Sequence, residues 1–197
     1  MFNCKKLIVL FLLLITSPIF AENHVLELDG DGDYLKLPSG IFKGLEQATI
    51  EGWFKWKRLD HYPQFVFFDF GNRNEKIALA SFYDHRNTDL FFQKITENGA
   101  KYTIDVANIL RLNQWCHFAT VFGENVVKLY LNGILIEEGY YPGSFSTIGN
   151  KTSNFIGYSN VMGYDMYFQG QVDEIRVWET TRTTKPMRWT VCHQATE

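Results

Sequence analysis

Short runs of alternating hydrophobic and polar residues cover most of the chain. Over residues 49–57, Ile50, Phe54 and Trp56 fall on one face and Thr49, Glu51, Trp53 and Lys55 on the other. That period of two belongs to a strand with one buried face. Residues 115–122 and 172–178 repeat it. Residues 64–70 are rich in Phe and Val and read as a strand buried on both faces. Further strands are predicted over 76–83, 89–96, 101–106, 126–131, 134–138 and 154–158. Asn132-Gly133 tolerates the positive φ angles of a type I′ turn and predicts a hairpin. Residues 25–37 read as two strand pieces around Asp29-Gly-Asp-Gly-Asp33. With a strand about every ten residues and turns between, the pattern is that of a sandwich or jelly roll. Its first and last strands are expected to lie side by side. Residues 180–197 change character; their threonines suit the cap of a short helix, with Pro186 in its first turn.

The first 21 residues predict a secretion signal: Lys5 and Lys6, an apolar run over 7–15, then Ala21 at a cleavage point. The run is far shorter than the ~20 residues that span a bilayer. Cys4 precedes the run, so it does not read as a lipid-bearing cysteine. Removing Lys5 and Lys6 from 19 basic and 22 acidic residues leaves a net charge of −5. With no basic cluster, nucleic acid is excluded as the expected partner. The remaining 22–197 is enough for one domain, 22–181, with a tail at 182–197. Hydrophobic residues at 46% describe a globular chain, and 17 phenylalanines supply filling for the space between sheets. Two cysteines remain, Cys116 and Cys192. Outside the cytoplasm they could join in a disulfide worth roughly 4 kcal/mol, or stay as one thiol in a strand and one in a tail.

Six segments in order resemble the laminin-G-like domains of the concanavalin A-like lectin/glucanase superfamily. They are Leu28-Asp-Gly-Asp-Gly-Asp-Tyr-Leu35, Ala48-Thr-Ile-Glu-Gly-Trp-Phe54, Asn113-Gln-Trp-Cys-His-Phe-Ala119, Leu129-Tyr-Leu-Asn-Gly133, Ile156-Gly157 and Phe168-Gln-Gly-Gln-Val-Asp-Glu-Ile-Arg-Val-Trp178. The resemblance implies an all-β, two-sheet antiparallel jelly-roll sandwich and a secreted module that binds carbohydrate or an extracellular protein. It also implies a structural Ca²⁺ held by carboxylates and backbone carbonyls near the paired terminal strands. Only Thr181-Arg182 matches the family beyond Trp178.

The residues themselves leave that metal open. Asp29, Asp31 and Asp33 alternate, so on an extended strand their carboxylates converge on hard-oxygen chemistry suited to Ca²⁺, with Asp173 brought near by strand pairing. An EF-hand is excluded, since Tyr34 and Gly40 stand where its glycine and glutamate belong. The alternative is a turn whose aspartates bond the local backbone. In Asp173-Glu174-Ile175-Arg176, alternation places Asp173 and Ile175 on one face.

Catalysis finds little support. Glycanases of the laminarinase type, which share the resembled fold, carry Glu-x-Asp-x-Glu on one strand and need paired carboxylates. Glu27-Leu-Asp-Gly-Asp31 is the nearest approach, and the adjacent pairs Glu137-Glu138 and Asp173-Glu174 face apart. A glycan-cleaving enzyme is therefore the alternative reading, as is a structural piece of a larger surface protein. His117 reads as a packed core histidine. No Gly-x-Ser-x-Gly or Cys-x-x-Cys occurs. Sugars offer apolar ring faces and hydroxyls, so aromatic residues mixed with amides and carboxylates mark the candidate ligand site: Tyr158, Asn160, Tyr164, Asp165 and Tyr167. The 83–87 turn is a second candidate, and Tyr140-Tyr141 a third, weaker one. Asn150-Lys-Thr152 fits a glycosylation sequon.

Overall fold

The structure, a computed structural model, describes residues 25–58, 66–72, 74–83, 88–148, 153–159 and 165–183. The leader at 1–21, Asn160, Tyr164, the sequon, Cys192 and most of the predicted tail helix lie outside them.

The described residues form two six-stranded antiparallel sheets. Sheet A has the order β1 (Leu26–Asp29), β14 (Gln169–Trp178), β3 (Ala48–Trp56), β8 (Cys116–Phe122), β9 (Val126–Leu131) and β10 (Ile134–Tyr140). Sheet B runs β2 (Leu35–Leu37), β11 (Ser153–Ile156), β4 (Val66–Gly71), β5 (Lys76–Tyr83), β6 (Thr88–Ile95) and β7 (Lys101–Val106). A two-stranded hairpin, β12 (Tyr158–Ser159) with β13 (Met166–Tyr167), completes the set. A single 3₁₀ turn, Phe145–Ile148, is the helical element among the described residues. None of their helices is long and apolar enough to cross a membrane.

The terminal strands are neighbours as expected: Leu26 faces Val172 and Leu28 faces Gly170. The inward row of β3 packs Ile50, Phe54 and Trp56 into one core with Phe118 and Phe122 of β8 and Phe67, Phe68, Phe70, Ile77, Leu79 and Phe92 of sheet B. Phe54 and Phe67 meet edge to face at 4.8 Å across the two sheets. Each such ring contributes roughly 1.5–3 kcal/mol by leaving water, so the aromatic surplus in the sequence is mostly core. Asn132 and Gly133 take φ of 48° and 74°, both positive as the I′ turn requires.

The outer face of sheet A is closed by the end of β14 and the chain after it. Thr49 Oγ1 donates to the Thr180 carbonyl at 2.8 Å and accepts from Arg182 N at 2.9 Å. Glu51, fully buried, accepts from Trp178 Nε1 at 2.9 Å and from the Arg182 guanidinium. That guanidinium also sits 4.5 Å from the Trp178 ring centre. Residues 180–183 are irregular, and the helix expected around Pro186 lies outside the described residues. His117, also on this face, is 1% exposed and packs against Trp53 at 5.4 Å. Its Nε2 lies 3.8 Å from Glu51 Oε2, but the Glu51 charge already belongs to Arg182. Burial, then Arg182 and Arg176, push the His117 pKa down to about 4, so the ring is neutral.

One alternation fails. A bulge between Asp173 and Arg176, with Glu174 at φ 49°, breaks the period of β14. Asp173 faces Trp53 and Arg176 faces Glu51, both on the outer row, while Ile175 packs on the core. Asp173 and Ile175 therefore do not share a face, because one extra residue inverts every side chain after it.

Candidate functional site

Among the described residues, four partly exposed aromatic rings gather where sheet B meets the small hairpin. Gly157 ends β11 with φ +80°, donates its N–H to Phe67 O at 3.0 Å and accepts from Phe168 N at 2.8 Å. A Cβ there would stand 2.4 Å from Leu28 Cδ1, so only glycine makes this turn without displacing the core. The turn lifts the chain off sheet B into β12, and β13 returns with Tyr158 opposite Tyr167 and Ser159 opposite Met166.

Cross-strand pairing sets the Tyr158 and Tyr167 rings 5.0 Å apart. Tyr34, just before β2, stacks on Tyr158 at 4.9 Å and reaches Tyr167 at 6.5 Å. Phe155 of β11 stands edge-on beneath, 5.4 Å from Tyr34 and 5.0 Å from Tyr158. Tyr34 is 44% exposed, and the other three rings are half-buried. The Tyr158 hydroxyl donates to Asp165 Oδ1 at 2.8 Å. Burial, then the bond to Asp165 and its charge, push the Tyr158 pKa up to about 12. The Tyr167 phenol is raised too, by desolvation first and then by Asp165, Tyr34 and Asp31.

The platform rests on a fixed base. Asp69 of β4 faces Phe155 in register and lies buried. Its carboxylate accepts from both Lys76 of β5 and Ser159 of β12. Burial pushes the Asp69 carboxyl up and the Lys76 amine down, and the charge of each partner opposes part of the other's shift. Met166 packs with Val66, Ala80 and Phe91. One leg of the hairpin is thus pinned by a buried ion pair, the other by apolar contact.

Tyr158, Asp165 and Tyr167 therefore come together as the sequence suggested, and Tyr34 and Phe155 join them unannounced. Of the third candidate, Tyr140 is 61% exposed against Tyr102, but Tyr141 is fully buried. Burial raises the Tyr141 phenol, whose ring takes the Lys94 ammonium 3.8 Å from its centre.

The carboxylates proposed for Ca²⁺ do not gather. Asp29 Oδ1 accepts from Asp31 N at 2.7 Å, with Gly30 and Gly32 at φ 84° and 100°, so the stretch is a turn closed by its own aspartate. Asp29 faces Gln169, whereas Asp173 stands four positions further along β14, roughly 13 Å at strand rise. Asp173 Oδ1 instead accepts from Glu174 N at 2.7 Å. Asp31 and Asp33 are exposed. Among the described residues no three His, Cys, Asp or Glu side chains are placed to hold a metal ion. The donor set does not fit a Ca²⁺ bound by these four aspartates. Cys116 is buried on the core side of β8, where burial raises its thiol pKa; its expected partner Cys192 lies outside the described residues.

With two antiparallel sheets and this site defined, comparison places the fold among known proteins. Residues 29–186 match the laminin-G-like model of the concanavalin A-like lectin/glucanases superfamily, and the chain belongs to that family. Pappalysin-1 of Mus musculus is 21% identical over 175 residues, 83% of this chain. The chain spans 11% of that relative's length. Domain 4 of AbnA, a GH43 extracellular arabinanase from Geobacillus stearothermophilus solved with arabinotriose, is similar at a TM-score of 0.62 and 23% identity, over 86% of this chain and 82% of that domain. The CBM40 of the Ruminococcus gnavus IT-sialidase, solved with α2,3-sialyllactose, is similar at a TM-score of 0.67 and 17% identity, over 86% of this chain and 97% of that one. At these identities the two structures establish shared architecture.

Proposed function

We propose that the protein is a secreted, non-catalytic binding module that recognises carbohydrate on the Tyr34–Phe155–Tyr158–Tyr167 platform. The observation that carries the reading is the packing of these rings into one exposed cluster with Asp165 bonded to Tyr158. A sugar ring presents an apolar C–H face to an aromatic ring and hydroxyls to polar groups at its edge. The phenol oxygens and Asp165 supply that edge. The base under Tyr158 and Phe155 is rigid, so the rings are pre-oriented and little ordering is left to binding. Similar folds solved with arabinotriose and with sialyllactose support a sugar as the ligand class. Glycoside cleavage is disfavoured, since it needs two carboxyl groups free to flank a sugar, and Asp165 is held by the Tyr158 hydroxyl. Asp69, the buried carboxylate beside Phe155, is tied to Lys76 and Ser159.

The test is a glycan array probed with the purified protein and with Tyr158→Ala and Tyr167→Ala. Losing one stacked ring is expected to weaken binding about tenfold, from ~1–1.5 kcal/mol of aromatic contact. Array binding that survives both substitutions together would move the site elsewhere. Binding to an extracellular protein with no glycan signal would replace the ligand class.

A further inference from the structure

We propose that the platform is charge-selective: it accepts neutral glycans and discriminates against glycans carrying a carboxylate, such as sialic or uronic acids. This rests on the platform being the carbohydrate site. Its basis is the charge the fold places around the rings. Asp165 is exposed and bonded to the Tyr158 hydroxyl at 2.8 Å. Asp31 is exposed in the turn that Asp29 closes, three residues before Tyr34. Tyr34, three residues on, enters the stack, and the Asp31 charge is one of those that raise the Tyr167 phenol.

Among the described residues one exposed cation, Lys36, shares this face, against the two carboxylates. Lys76, the ammonium beneath the hairpin, is 3% exposed and neutralised by Asp69. Lys36 stands opposite Phe155 in register. Asp165 raises both the Tyr158 and the Tyr167 phenols, and Asp31 also raises Tyr167. Residues 160–164, Asn-Val-Met-Gly-Tyr, contain no charged side chain. A ligand carboxylate stacked here would meet two like charges and no free guanidinium fork among these groups, the chemistry that bidentate carboxylate recognition uses. Two carboxylates about 7 Å from a third, screened by water, correspond to a roughly five- to tenfold loss of affinity.

Isothermal titration with matched pairs tests this: lactose against α2,3-sialyllactose, and α1,4-galactotriose against trigalacturonate. The neutral member of the bound pair is expected to bind about five- to tenfold more tightly at low salt. The gap should narrow in high salt, and narrow in Asp165→Asn. The salt arm needs no variant and stands if Asp165→Asn misfolds. Equal affinity within a pair, with Tyr158→Ala weakening both members, overturns charge selection and leaves the sugar site intact. An anionic member that binds more tightly also overturns it. Failure of every member to bind overturns the carbohydrate reading beneath it.

Discussion

Acid should loosen this fold through one buried ring. His117 is 1% exposed, and its pKa falls from 6.5 to about 4 because burial and the nearby Arg182 and Arg176 charges oppose its protonation. The unfolded chain therefore binds more protons than the folded one between these two values. Stability from the neutral ring is complete above the unfolded pKa and is lost as pH falls toward the folded one. Full loss over that span is about 3 kcal/mol, and at pH ~4.5 about 2.5 kcal/mol has gone. The assay is urea unfolding followed by tryptophan emission, at several pH values from about 7.5 to 4.5, for the wild type and His117→Gln. The variant carries no titrating ring, so subtracting its pH profile removes every other carboxylate. The wild type should lose about 2.5 kcal/mol more than the variant across the range. Parallel profiles would refute the argument. A wild type that gains on acidification would refute it more sharply. That result would mean that Glu51, 3.8 Å away, answers to His117 and not to Arg182.

Two further outcomes test the base of the platform. Lys76→Met leaves Asp69 buried without its countercharge and should cost about 3–5 kcal/mol in chemical denaturation, with much of it recovered in Asp69→Asn/Lys76→Met; a cost below ~1 kcal/mol would mean that water, not Lys76, satisfies Asp69. Gly157→Ala forces a Cβ to within 2.4 Å of Leu28 Cδ1 at φ +80° and should destabilise by about 2–4 kcal/mol while weakening sugar binding. An alanine variant that melts with the wild type would show that the turn relaxes freely.

Much of the sandwich was legible because strand alternation is local. Residues 49–57 displayed their inward row directly, and Asn132-Gly133 announced its turn. The β14 face assignment failed at the bulge, since no residue type in Asp173-Glu174-Ile175-Arg176 signals an extra position and Glu174 is not a residue that favours positive φ. The proposed binding cluster was half legible. Tyr158, Asp165 and Tyr167 are close in sequence and visibly mixed aromatic and polar. Tyr34 and Phe155 are 121 positions apart and meet only because β2 pairs with β11, a register that neither strand encodes alone. The aspartates misled for a related reason. Alternation implies convergence on an extended strand, but Gly30 and Gly32 fold the segment into a turn, and antiparallel pairing sends Asp173 to its far end.

The place of β14 in sheet A governs when the molecule can assemble. It fills the gap between β1 and β3, so among the described residues the first strand of the sheet finds its only sheet partner in β14. A ribosome must deliver residue 178 before that gap closes, and until then β3 offers a bare hydrogen-bonding edge. Such late, long-range closure makes for slow folding and a growing chain that is vulnerable to sticking. A polypeptide built this way keeps the β3 edge open until β14 has been made.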